Sequence, residues 1–162
     1  MSNQSNLHKR RHIGYRSIRK ILIVCEGEKT EPNYFKAFQT NNELVKVETD
    51  GAGRVNLSLV EYAVKLKKEA ELIKDPYSVV WCVFDRDPHP EASNDKNNFN
   101  QAISCAQKNQ IKIAYSIEAF EIWYILHFNY HQTGDNRKKY ENKLTELLGS
   151  KYQKNDTEMY EK

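Results

Sequence analysis

The chain has 162 residues, 39% of them hydrophobic and 29% charged, with a mean hydropathy of −0.82. That is enough for one compact domain with a true core and no need of disulfides or a structural metal. The longest apolar runs, 21–25, 79–84 and 122–126, fall far short of the ~18–20 residues that cross a bilayer, which excludes a membrane span. The formal charge of +3 is unevenly spread: six of the 25 basic residues lie within 1–20, which hold no acid, leaving 19 basic against 22 acidic residues beyond them.

Residues 1–18 read as a flexible basic arm and 19–162 as a single domain. Lys9, Arg10, Arg11 and Arg16 in the arm suit salt-dependent contact with phosphates, although a solvated tail has the same composition. No apolar segment follows the basic cluster as a secretory leader requires, so a cytoplasmic protein is expected. Cys25, Cys82 and Cys105 are odd in number and lack Cys-x-x-Cys spacing. They are expected to be reduced thiols with a packing role.

Ile21 to Cys25 is an unbroken, β-branched run of the kind that forms a strand buried on both faces of a parallel sheet, and it stops at Glu26-Gly27. Thr30 is placed to cap a helix carrying Tyr34, Phe35 and Phe38. Leu44 to Thr49 alternates as a less buried strand would, and Asp50-Gly51-Ala52-Gly53 follows as a turn. Between Leu57 and Ile73 the apolar positions recur with a helical period that Asp75-Pro76 ends.

Ser78 to Phe84 is a second strongly buried strand, ending on Asp85-Arg86-Asp87. A helix is predicted around Phe99–Gln107, a strand over Ile111–Tyr115, a very apolar helix over Phe120–Phe128 with Ser116 as its cap, and a last helix over about Lys138–Leu148. Alternating strands and helices imply crossovers, hence an α/β fold: a mostly parallel sheet of about four strands with helices on both faces.

Sites in such sheets form at the carboxyl ends of the strands. Glu26 and the pair Asp85 and Asp87 stand at the ends of the two most buried strands. Two carboxylates ~5 Å apart repel by roughly 3 kcal/mol at an effective dielectric of ~20, so a cluster of them calls for a cation or a shared proton. Mg2+, with Mn2+ as a substitute, is the fitting cation, because it binds one or two carboxylates and leaves room for water and phosphate oxygens. Lys29 and Arg86 are candidate phosphate-facing cations beside these acids, and Gly51-Ala52-Gly53-Arg54 is a weaker one.

Four stretches, 21–35, 80–90, 113–116 and 120–128, carry Cys-Glu-Gly-Glu-Lys-Thr-Glu-Pro-Asn-Tyr-Phe, Val-Phe-Asp-Arg-Asp-Pro-His-Pro, Ile-Ala-Tyr-Ser and Phe-Glu-Ile-Trp-Tyr-Ile-Leu-His-Phe. In order and content they closely resemble the RloB-like family, associated with bacterial restriction and antiphage loci and similar to a branch of the Toprim superfamily. The resemblance implies a Toprim-like, Rossmannoid three-layer sandwich and a Mg2+-dependent nuclease. In it Glu26 serves as acid or base, Asp85 and Asp87 hold the metal, and Glu121 is a further acid. It also implies that nucleic acid is the partner (DNA or RNA, with tRNA among the candidates) and that an ATPase encoded nearby is a second one. Lys29, Arg86, Arg54, Arg10 and Arg11 would then contact the nucleic acid.

Two departures stand out. Ile117-Glu118 occupies the place where the family usually has Asn-Pro, and the related proteins look longer than this chain, which makes truncation after Lys162 an expectation.

Competing motifs are weaker. Gly27-Glu28-Lys29-Thr30 lacks the glycine spacing of a P-loop. His127 and His131, four apart, match part of a zinc pattern without the remaining ligands, which makes His127 a core histidine. His89 shares the Asp85–Asp87 loop and could touch metal or substrate. Trp81, Phe84, Phe120, Trp123 and Tyr124 read as core. A phosphohydrolase of the type with Asp-x-Asp after the first strand is disfavoured because Glu-Gly stands there. A non-catalytic nucleic-acid or partner-binding module, regulated by the ATPase, is the alternative to the nuclease. Oligomeric state has no sequence signature here.

Overall fold

The computed structural model describes residues 19–37, 45–86 and 95–162. The basic arm with Arg10 and Arg11, and the loop with Asp87 and His89, lie outside them. Among the described residues four strands form one sheet in the order β2-β1-β3-β4, every neighbouring pair parallel: β1 Arg19–Cys25, β2 Val45–Gly51, β3 Val79–Arg86 and β4 Lys112–Ile117. The helices are α1 Thr30–Ala37, α2 Asn56–Leu72, α3 Asp95–Lys108, α4 Glu121–Phe128 and α5 Arg137–Leu148, with a 3-10 turn at Met159–Glu161. Among the described residues no helix is long and apolar enough to cross a membrane.

The two-residue period of a strand sorts its side chains between two cores. Leu22 and Val24 of β1, with Val80, Cys82 and Phe84 of β3, face α2 and α3, where Leu59, Val60, Ala63, Ala102 and Ala106 close a hydrocarbon layer. Cys25 and Val83 face the other way, onto Tyr34 of α1, Phe120, Tyr124 and Ile125 at α4, Tyr140 and Leu144 of α5, and Tyr152 and Met159. Each fully buried aliphatic or aromatic side chain contributes about 1.5–3 kcal/mol through removal from water. Helices on both faces of a parallel sheet make the three-layer, Rossmann-like sandwich that the alternation of elements implies.

Several local expectations need correction. β3 does not stop at Phe84: Asp85 and Arg86 are still in the ladder, opposite Ser116 and Ile117 of β4. Ser116 therefore belongs to a strand and does not cap α4; its buried Oγ accepts from Trp123 Nε1 at 3.0 Å. Thr30 is the first residue of α1, and its Oγ1 donates to Asn155 Oδ1 at 2.6 Å. Trp81 and Trp123 are half-buried, unlike Phe84, Phe120 and Tyr124.

His127 is exposed, its Nε2 2.8 Å from the Tyr34 hydroxyl. His131 lies beyond the end of α4 beside Asp135 and Lys143, so the two imidazoles do not share a helix face. All three cysteines are free, and burial raises the pKa of the Cys25 and Cys82 thiols, which keeps them protonated.

Candidate active site

β1 and β3 are adjacent, and the chain leaves them in opposite directions. From β1 it passes to α1, on the face of Cys25 and Val83; from β3 it passes to α3, on the face of Val24 and Phe84. The crevice between their carboxyl ends is the point where binding sites form in open α/β sheets. The backbone ladder carries one bond past β1, Glu26 N–H to the Val83 carbonyl at 2.9 Å. One step further the Glu26 side chain takes over from the backbone: its Oε2 accepts the Asp85 N–H at 3.1 Å. Two residues far apart in sequence are thereby fixed to each other.

The turn that carries Glu26 is held tightly. Gly51, at the end of β2, lies so close to it that a Cβ there would come within 2.7 Å of Glu28 Cα and 2.8 Å of the Gly27 carbonyl oxygen. Gly51 thus serves backbone approach, and Gly53 at φ 58° serves the turn. Glu31, in the first turn of α1, folds back so that its Oε1 accepts the Gly27 N–H at 3.2 Å. It is buried, and the sequence alone did not single it out as a member of the cluster.

Asp85 shares the face of Val83, toward α1 and α4. Burial, then the charges of Glu31 and Glu26, push its carboxyl up to about 7; Arg137 opposes the shift and Glu121 adds to it. Such crowding of like charges in partly buried surroundings is characteristic of functional sites. Arg137, at the start of α5, was also missed; its Nη2 lies 3.5 Å from Asp85 Oδ2. It stands 52 positions beyond Asp85, and nothing in its local sequence, a Lys/Arg-rich helix start, sets it apart.

Glu121 is almost completely buried, at 1% exposure. Its Oε1 accepts from the Tyr152 hydroxyl at 3.3 Å and lies 4.0 Å from Lys154 Nζ. It lies deeper than Asp85 and helps to set the charge around it.

The expected cations are spread apart. Lys29 is exposed in the turn after β1. Arg86 alternates to the opposite face from Asp85, with its guanidinium over the Phe99 ring at 4.9 Å. Arg54 lies over Tyr62 at 4.9 Å, and the Tyr62 hydroxyl donates to Asp50 at 3.1 Å. The described acids at the crevice, Glu26, Glu31, Asp85 and Glu121, offer oxygen donors, the chemistry Mg2+ and Mn2+ prefer. Among the described residues no three His, Cys, Asp or Glu side chains are arranged to hold a metal ion, and Asp87 of the expected set lies outside them.

A family model described as RloB-like protein matches residues 21–162. The chain belongs to the RloB-like family. The matched span starts in β1 and takes in Glu26, Glu31, Asp85, Glu121 and Arg137, so the crevice of this RloB-like chain lies wholly inside it. No curated protein matches the chain.

Proposed function

We propose that this RloB-like protein is a Mg2+-dependent, Toprim-type nuclease that hydrolyses phosphodiester bonds, acting in the cytoplasm in bacterial antiphage defence or at restriction-linked loci. The observation that supports this most is the meeting of Glu26 and Asp85 at the switch point between β1 and β3, through the 3.1 Å bond from Asp85 N–H to Glu26 Oε2. Glu26 and Asp85, joined by Asp87, would hold the ion. When bound, it would supply positive charge for the charge developing on the phosphodiester and make water a better nucleophile.

The chain's own residues do the rest. The Asp85 N–H fixes Glu26, so that its carboxylate meets the reacting group in one orientation and can take or return a proton at Oε1 or Oε2. Glu121, held by Tyr152, keeps a negative field over the crevice that favours a cation. Lys29, Arg54 and Arg86, with Arg10 and Arg11 of the basic arm, would grip the phosphates of DNA or RNA. An ATPase partner encoded nearby would govern when the site is used.

The reading is tested with metal-stripped protein offered single- and double-stranded DNA, RNA and tRNA in Mg2+ or Mn2+, with and without the neighbouring ATPase. Cleavage is expected only with the divalent ion and should fall by about a hundredfold or more in Glu26→Gln and Asp85→Asn. Binding without cleavage under every condition would favour the binding module instead, for which the Asp85–Arg137 ion pair would be a purely structural contact.

A further inference from the structure

Arg137 opens α5, and three contacts bring it to the crevice. Its Nη2 lies 3.5 Å from Asp85 Oδ2 and donates to the Glu118 carbonyl oxygen at 3.2 Å. Its backbone N–H donates to Glu118 Oε1, also at 3.2 Å. Glu118 is itself tied to β3, since its N–H donates to the carbonyl of Arg86, the residue after Asp85, at 3.0 Å. It holds a φ of 71°, a backbone conformation unfavourable for a glutamate. The loop after β4 is thus bent so that one residue grips Arg137 twice and sets its guanidinium over Asp85.

That geometry is more elaborate than stability requires, because ion pairs this open to solvent add little to folding. The Arg137 side chain is 47% exposed while that of Asp85 is 22% exposed, so the cation sits on the solvent side of the acid. Only Nη2 of its five-donor fork meets protein oxygens among the described residues. The planar fork carries further N–H donors, in the array that matches a phosphate. Resting on the nuclease reading above, we propose that Arg137 is a phosphate-contacting residue of this site and that its guanidinium competes with a divalent cation for Asp85.

The two roles have opposite signatures when Arg137 is removed. A phosphate loses a partner, so affinity for nucleic acid falls; a divalent cation loses a rival, so its affinity rises. A residue that only braced α5 would weaken both or change neither.

The experiment uses the full chain at about pH 8. Mn2+ binding is read by electron paramagnetic resonance, and the binding of fluorescent oligonucleotides by anisotropy in chelator across a series of salt concentrations. Arg137→Ala should bind Mn2+ about two- to fivefold more tightly. It should also lower the slope of log affinity against log salt by about one. Arg137→Lys should keep most of that slope, and Lys65→Ala, an exposed position on α2, should change neither quantity.

Unchanged or weaker Mn2+ binding by Arg137→Ala, or an unchanged salt slope, would overturn the inference. Wild-type Mn2+ binding that disappears in Asp85→Asn would in that case leave the nuclease reading standing. If the wild type takes up no Mn2+, the nuclease reading fails and Arg137 loses its assignment with it. Should Arg137→Ala fail to fold, Arg137→Gln, which retains an amide donor toward Glu118, serves in its place.

Discussion

The two faces of the sheet are built from different chemistry. Toward α2 and α3 the core is leucine, valine, alanine, Ile111, Cys82 and Phe84, side chains that need only contact. Toward α1, α4 and α5 the core holds Tyr34, Tyr124, Tyr140 and Tyr152, with Thr30, Glu31, Ser116 and Glu121 also buried on this side. Each polar group there needs a partner, and the Tyr152–Glu121, Thr30–Asn155 and Trp123–Ser116 bonds supply them. One face holds the sheet together, while the other spends part of that stability on keeping carboxylates close to the crevice.

The largest test of this contrast is Phe84→Ala. Phe84 is 1% exposed, and its truncation should cost about 3–5 kcal/mol in urea unfolding. Glu26 and Asp85 should stay together in whatever protein remains folded, because the bond between them uses the Asp85 backbone. A loss below about 1 kcal/mol would mean that the α2/α3 face is not the load-carrying one.

Asp85→Asn should act in the reverse direction. The folded carboxyl titrates at about 7, above the 3.8 of an unperturbed aspartate, so between those values the folded state holds more protons than the unfolded one. Stability in chelator should therefore fall as pH rises from about 4 to about 7. The asparagine variant should lose that slope and gain about 1–3 kcal/mol at pH 8. Urea melts at pH 5 and pH 8 check this, and a variant less stable than wild type at pH 8 would show that the crowding is not a cost.

The smallest effect is expected from Tyr152→Phe. It removes the hydroxyl that donates to Glu121 at 3.3 Å; burial first, and then the charge of Glu121, keep that phenol protonated and so a donor. Leaving a buried carboxylate one donor short should cost about 1–2 kcal/mol. The loss should shrink in the double variant with Glu121→Gln, and strict additivity in that cycle would mean that the two residues do not depend on each other.

Legibility in the sequence was uneven for physical reasons. β1 and β3 could be read because strands buried on both faces need unbroken apolar runs, and α2 because it carries its apolar stripe at a helical period. The end of β3 could not: Asp85 and Arg86 are polar, and only pairing with β4 keeps them in the ladder. Among the site residues, Glu26 and Asp85 announced themselves by directly following such apolar runs. Glu31 looked like any acid at a helix start, and Arg137 like any basic residue in a Lys/Arg-rich helix.

By itself the sequence determined which segments become strands and helices, that the sheet is parallel, and which carboxylates end its two central strands, because hydrophobic period and turn residues are local properties. Only the tertiary structure decided that β1 and β3 are neighbours, that Asp85 turns toward Glu31 and Glu121 while Arg86 turns away, and that Arg137 meets Asp85. Those outcomes depend on strand order and on the two-residue alternation of a ladder whose extent is set by its partner strand, and neither is encoded in any one stretch of chain.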